Sequence, residues 1–183
     1  MGIFDRFRRK RNTPYYDTTN IRVHDLDVGF VFDYDLSTWE VVEIYEYDWG
    51  DNYFTREFKV TDGNQTRFLS LEEDDEVVLT LMKKIKVIAL GEDVQSSLHN
   101  HQKPPVKFTY KDNEFLLDKE APGYFHDISK GDSWEEFISW DFETQDGEAT
   151  ITIEQWGEQE FEASHGMFVK EFEISNILPG EQN

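Results

Sequence analysis

The sequence predicts an all-β fold: two tandem, duplicated antiparallel sheets, curved meanders or barrel-like modules, packed together with a short helix or loop between them. Three observations predict it. Through residues 28–71, aromatic and β-branched residues alternate with charged ones. The turn formers Asp35, Gly50, Asp51, Asp62, Gly63 and Asn64 fall where hairpin ends belong. After Pro104-Pro105 the pattern returns, and one constant spacing sets Phe58 on Phe142, Asp62-Gly63 on Asp146-Gly147, Thr66 on Thr150 and Phe54 on Ile138.

Each element follows from local chemistry. Asn12 to Asn20, with Pro14 among polar residues, reads as a linker, so residues 1–20 form an arm and linker. Ile21 to Leu26 is a short strand or an approach to the sheet. Strands are then expected at Phe30–Tyr34, Thr38–Tyr47, Tyr53–Thr61, Thr66–Leu71 and Val77–Met82. In the second of these, Trp39, Val41, Tyr45 and Tyr47 are placed on one face and Val42 and Ile44 on the other, which makes it a central strand covered on both sides, with Trp39 in the core. In the third, Phe54, Arg56, Phe58 and Val60 oppose Thr55, Glu57, Lys59 and Thr61, and Arg56 interrupts the apolar stripe. Lys83 to Leu90 can continue as strand.

Gly91 to Gln102 is spaced for a short helix, which Pro104 and Pro105 stop; they divide a first module (21–103) from a second (104–177). The second module is expected to hold strands at Val106–Tyr110, Glu114–Leu117, Tyr124–Ile128, Trp134–Glu143, Ala149–Gln155, Gln159–Ala163 and Phe168–Ile174. Ser164-His165-Gly166 is expected to be a hairpin turn and residues 178–183 a disordered tail.

The net charge of −21, from 39 acidic and 18 basic residues, repels phosphate backbones, so nucleic acid is not an expected partner. No cysteine is present, which excludes disulfides and thiolate chemistry and suits a reducing cytoplasm. No apolar run approaches the roughly 18 residues of a membrane span, and the N-terminus lacks the apolar core of a signal peptide. The expected location is cytoplasmic, with peripheral contact at the inner face of the membrane as an option carried by the arm.

That arm, Met1 to Arg11, sets Arg6, Arg8, Arg9, Lys10 and Arg11 against Asp5 alone. A helical turn would bring Ile3, Phe4 and Phe7 to one face with the basic residues around them. The segment is either a frayed basic tail or a short interfacial anchor, in which each basic side chain near an anionic leaflet contributes about 1 kcal/mol. The anchor reading expects weak, salt-sensitive co-sedimentation with anionic but not neutral vesicles, lost on deleting Met1 to Arg11; equal pelleting without the arm contradicts it. Gly2 does not signal myristoylation, because Arg6 stands where that motif takes Ser or Thr.

The succession Asp33-Tyr34, Trp39-Glu40-Val41, Tyr45, Tyr47, Trp49 and Phe54 to Phe58, then Gly131-Asp132-Ser133-Trp134-Glu135-Glu136-Phe137 and Trp156-Gly157, resembles the bacterial family catalogued as domain of unknown function 4178. The resemblance covers most of residues 28–174 in two passes. It departs at Phe68-Leu69, where a tryptophan would often stand, and the second pass lacks a clear Trp-x-Val strand. These are aromatic framework positions, so the resemblance implies a fold and carries over no catalytic residue.

Motif chemistry is sparse. His99 and His101 have metal-clamp spacing, but they follow the expected helix and have no third ligand near in sequence. Glu72 to Glu76 lacks the Asp-x-Asp-x-Asp-Gly loop of a calcium site. No cofactor and no metal are expected. Two functional readings stand. In one, the protein is a non-enzymatic interaction module whose acidic, aromatic sheets bind a cationic ligand or basic protein partner, with Trp49, Trp134 and Trp156 as contact anchors. In the alternative it is a hydrolase-like enzyme with paired carboxylates in a sheet cleft, Asp48 with Asp51 or Asp132 with Glu135 and Glu136. A carboxylate pair desolvated in a concave, aromatic-lined pocket separates the two readings from a chain whose acids all lie on convex turns.

Overall fold

Two tight turns set up the two halves of the chain. Asp35 and Leu36, and again Lys111 and Asp112, all take positive φ, the twist that lets a two-residue hairpin follow the right-handed twist of its strands. The first turn joins β1 (Val31–Tyr34) to the long β2 (Ser37–Asp48), and the second joins β6 (Lys107–Tyr110) to the long β7 (Asn113–Asp127). A computed structural model describes Tyr16, Asp17 and residues 19–180. Three meander strands follow each long strand: β3 (Phe54–Thr61), β4 (Thr66–Glu73) and β5 (Val77–Ile85), then β8 (Glu135–Thr144), β9 (Ala149–Gly157) and β10 (Glu160–Val169). The helix α1 (Glu92–His101) lies between the halves, and β11 (Ser175–Leu178) follows them.

The fold is all-β, as the alternation predicts. Its two meanders are joined edge to edge: the strand order is β11-β1-β2-β3-β4-β5-β10-β9-β8-β7-β6, and β2 also pairs with β7. That pairing, Tyr45 to Asp48 against Tyr124 to Asp127, closes eight strands into an antiparallel ring. β1 and β6 occupy the opposite ends of the edges of β2 and β7 that meet in the closure, so both peel outward from the ring. The hairpin β3–β4 pairs Phe58 with Leu69, whereas β8–β9 pairs Phe142 with Ile151, so the spacing that sets Phe58 on Phe142 places Leu69 on Ile153.

The apolar stripes of the ring face outward, where flanking segments cover them. One cluster holds Trp39, Val41, Ile44, Phe58, Leu69 and Leu79 under Phe30, Phe32, Val23 and Ile174. The other holds Trp140, Phe142, Ile151 and Ile153 under Val94 and Leu98 of α1 and Phe108 of β6. Burial of each such side chain contributes on the order of 2 kcal/mol. Trp39 is 4% exposed, in keeping with the core position expected for it. Arg56, which interrupts its stripe, lies over Phe58 at 5.5 Å and donates to the His24 carbonyl at 2.6 Å, so its charge sits at the cluster rim.

Several local expectations are corrected. Tyr45 and Tyr47 do not share a face with Trp39 and Val41: the β2–β3 register shifts between Val41 and Glu43, and this bulge turns Ile44 toward the outer cluster and both tyrosines inward. Glu114–Leu117 and Tyr124–Ile128 belong to one bulged strand, β7, that ends at Asp127. Ser164-His165-Gly166 lies within β10, where Gly166 pairs with Met82; a Cβ there would come within 2.9 Å of the Leu81 carbonyl, so the glycine serves close strand approach and not a turn. Lys83 to Leu90 leaves the strand after Ile85 for a 3-10 turn at Val87–Leu90. Ile21 to Leu26 contains a 3-10 turn at Val23–Asp25, and Glu171–Glu173 another. Leu178, assigned to the tail, pairs with Val31, so β11 returns to the first half of the chain.

Candidate functional site

With the apolar faces outward, the polar faces line the lumen. Thr55, Glu57 and Lys59 of β3 point inward, as do Thr80, Met82 and Lys84 of β5 and Thr152, Glu154 and Trp156 of β9. The lumen has two chambers along the ring axis. The larger, about 480 Å³, is bordered by Tyr45, Phe68, Lys84, Phe125, Trp156 and Glu162; the smaller, about 280 Å³, by Trp49, Glu72, Asp118, Lys119, Asp141 and Glu143. Tyr47, Glu57, Met82, Thr152 and Glu154 border both and form the waist.

Glu57 and Glu154 stand on strands that are four apart in either direction around the eight-strand ring, so they face each other across the waist. Glu57 is 8% exposed, and one of its oxygens accepts a hydrogen bond from the Tyr47 hydroxyl at 3.1 Å. Burial raises its pKa to about 7, against the lowering effect of the Tyr47 bond and of Lys84. The side chain of Glu154, partly buried, makes no hydrogen bond and no ion pair among the described residues. Burial raises its pKa to about 8, and Glu57 adds to the rise. Lys84 faces the pair, but its ammonium is bound to Glu162 and lies 5.6 Å from the Phe68 ring.

Asp141 accepts from Thr152 Oγ1 at 2.7 Å; burial still raises its pKa, as it does that of Glu143. Glu72 accepts from the Tyr53 hydroxyl at 3.0 Å, and burial lifts that tyrosine to about 12. Lys119 lies 5.3 Å from the Trp49 ring. Carboxylates outnumber ammonium groups in both chambers.

One wall of the lumen is aromatic. Phe125 meets Tyr45 at 5.2 Å, Tyr47 at 5.4 Å and Trp156 at 5.2 Å, and Phe137 stacks on Trp156 at 5.0 Å. Gly123 makes room for this wall: a Cβ there would lie 2.9 Å from Phe137 and 3.0 Å from Trp49. The indole N–H of Trp156 is buried without a hydrogen-bond partner among the described residues, whereas that of Trp49 donates to Thr55 Oγ1 at 2.9 Å.

Of the three tryptophans that the sequence offers as exposed anchors, Trp49 and Trp156 are partly buried on the lumen wall and Trp134 is outside it. Trp134 is 40% exposed and packs on His126 at 4.8 Å. Asp48 accepts from the Gly50 N–H in its hairpin, and Asp51 lies in that turn. Glu135 borders the larger chamber, while Asp132 and Glu136 are exposed. The desolvated pair is therefore Glu57 with Glu154, which sequence reasoning read only as polar alternation. The available signal was that Tyr45, Tyr47 and Trp156 share their strands' inward faces with carboxylates or stand across from them.

His99 lies in the last turn of α1 with Nδ1 3.3 Å from Gln159 Oε1, and no group of three metal-ligating side chains occurs among the described residues. Ile3, Phe4, Phe7 and the basic residues Arg8, Arg9, Lys10 and Arg11 lie outside the described residues. No helix among the described residues is long and apolar enough to cross a membrane.

No solved structure matches the chain. A protein of Aquifex aeolicus (strain VF5) described as "Uncharacterized protein" is 32% identical over 183 residues, covering 98% of this chain and 99% of that one. The aromatic framework that builds the ring closure and the lumen wall falls within residues 27–171, which match the family described as Domain of unknown function (DUF4178), and the chain belongs to that family.

Proposed function

We propose that the protein is a non-enzymatic binding protein that holds a small organic cation in the lumen of its ring. The observation that carries this reading is the waist, where buried Glu57 faces partly buried Glu154 beside an aromatic wall and the Glu154 side chain has neither hydrogen bond nor ion pair among the described residues. A carboxylate held partly out of water without a partner is costly to ionise, and a bound cation offsets that cost. Aromatic faces add cation–π attraction. A chamber of about 480 Å³ admits a small molecule and excludes a folded protein.

Isothermal titration with phenethylammonium, its N,N,N-trimethyl analogue, neutral 2-phenylethanol and anionic 3-phenylpropionate tests this. At least one of the two cations is expected to bind and raise the melting temperature, with about 2.7 kcal/mol of stabilisation at a hundredfold excess over Kd. Binding of the alcohol or the acid as tightly as the cations, or of none of the four, overturns the reading.

A second reading, acid–base catalysis of hydrolysis, draws on the same pair, since two enclosed carboxylates that titrate near neutrality suit a general acid and base. Turnover of p-nitrophenyl esters or glycosides that disappears in both Glu57→Gln and Glu154→Gln would favour it over simple binding.

A further inference from the structure

We infer that the ligand is a primary amine, with its ammonium at the waist between Glu57 and Glu154 and its apolar body along the Tyr47–Phe125–Trp156 wall of the larger chamber. This rests on the reading of the lumen as a cation site and adds the head group and its direction. The head group follows from counting acceptors. The waist pair has four carboxylate oxygens; Tyr47 occupies one of them, on Glu57. Three are left without a hydrogen-bond donor among the described residues. A primary ammonium presents three N–H donors, and a quaternary ammonium presents none. Lys84 does not fill this role: its ammonium is bound to Glu162 and makes no hydrogen bond or ion pair with Glu57 or Glu154 among the described residues.

Direction follows from the two chambers. The smaller, about 280 Å³, adds Glu72, Asp118, Asp141 and Glu143 with Lys119 to the waist, so an ammonium directed there meets more carboxylates and an apolar body has less room. The larger places Tyr45, Phe125 and Trp156 along one wall with Phe68 and Met82 also lining it.

Proton release accompanies binding. Facing carboxylates that repel each other hold a proton on one of them, and an incoming ammonium displaces it. The titratable groups that line the lumen with the pair are Tyr45 and Tyr47 from β2, Lys59 from β3, Glu72 from β4, Lys84 from β5, Asp118 and Lys119 from β7, Glu135, Asp141 and Glu143 from β8, and Glu162 from β10.

The test compares phenethylammonium with its N,N,N-trimethyl analogue, which has the same body and charge but no N–H. The primary amine is expected to bind at least about tenfold more tightly, the difference made by charge-assisted hydrogen bonds. Titration at pH 7 in phosphate and in Tris, whose ionisation enthalpies differ, is expected to show proton release for the primary amine. Glu154→Gln is expected to abolish the preference and the release together, while Trp156→Ala weakens both ligands alike. Equal or tighter binding of the quaternary analogue, or a preference unchanged in Glu154→Gln, overturns the inference and leaves the cation site standing. Failure of both cations to bind overturns the cation site as well.

Discussion

Raising the pH from 5 to 9 lowers the stability of the protein, and the double variant Glu57→Gln, Glu154→Gln abolishes most of that loss. Both carboxyls have folded pKa values raised, chiefly by burial, above the 4.5 of a free glutamate, to about 7 and about 8. The native state therefore binds more protons than the unfolded chain between about pH 4.5 and pH 8, and linkage makes stability fall as pH rises through that window. At about 1.4 kcal/mol per unit, the pair contributes a decline on the order of 5 kcal/mol. His126, raised by its bond to the Gly131 carbonyl and by Glu46, changes stability in the same direction, being most favourable when protonated. Asp33, Asp62 and Asp146 are lowered by side-chain hydrogen bonds and act in the acid range, outside this window. Asp141 and Glu143, raised by burial, add to the fall, and His165, lowered by burial, opposes it; all these groups are common to wild type and variant, so the difference in urea midpoints at pH 5, 7 and 9 isolates the pair. Parallel pH profiles would place both carboxylates in bulk water.

Trp39→Ala and Phe142→Ala are each expected to cost about 3 to 5 kcal/mol, the range for emptying a buried aromatic site. Trp39 belongs to the cluster outside β2 to β5, and Phe142, fully buried, to the cluster outside β7 to β9. The clusters are separate, but the strands beneath them close one ring through β2–β7 and β5–β10. Either variant is therefore expected to shift a single transition, followed by circular dichroism and by tryptophan fluorescence. A shift below about 1 kcal/mol for Trp39→Ala would remove it from the core, and two resolved transitions would show that the halves melt apart.

The strands were legible where periodicity was uninterrupted. β3, β4 and β9 fall within about two residues of their expected bounds because alternation and turn formers agree there. Reading failed at bulges and at glycine. The shift at Val41/Glu43 changes the faces of Tyr45 and Tyr47 without any local signal in a run apolar on both sides. Ser164-His165-Gly166 has turn composition, yet Gly166 is required by the approach of β5, a neighbour some 80 residues away in the chain. The candidate site was less legible than the fold. Trp49 and Trp156 were singled out as outward anchors, and Glu57 and Glu154 were not singled out as a pair at all.

By itself the sequence determined the all-β class, most of the strands, the hairpin turns, the helix before Pro104-Pro105 and the burial of Trp39, because these depend on residues a few positions apart. Only the tertiary structure decided which face of each strand became the interior. Alternation separates an apolar from a polar face and is silent on which one a closed ring encloses. Here β2 meets β7 across about 80 residues of chain, while α1, β1, β6 and β11 cover the apolar faces from outside. That non-local closure turns the polar faces inward, sets Glu57 opposite Glu154, and converts what reads as outer surface into the lining of an acidic lumen.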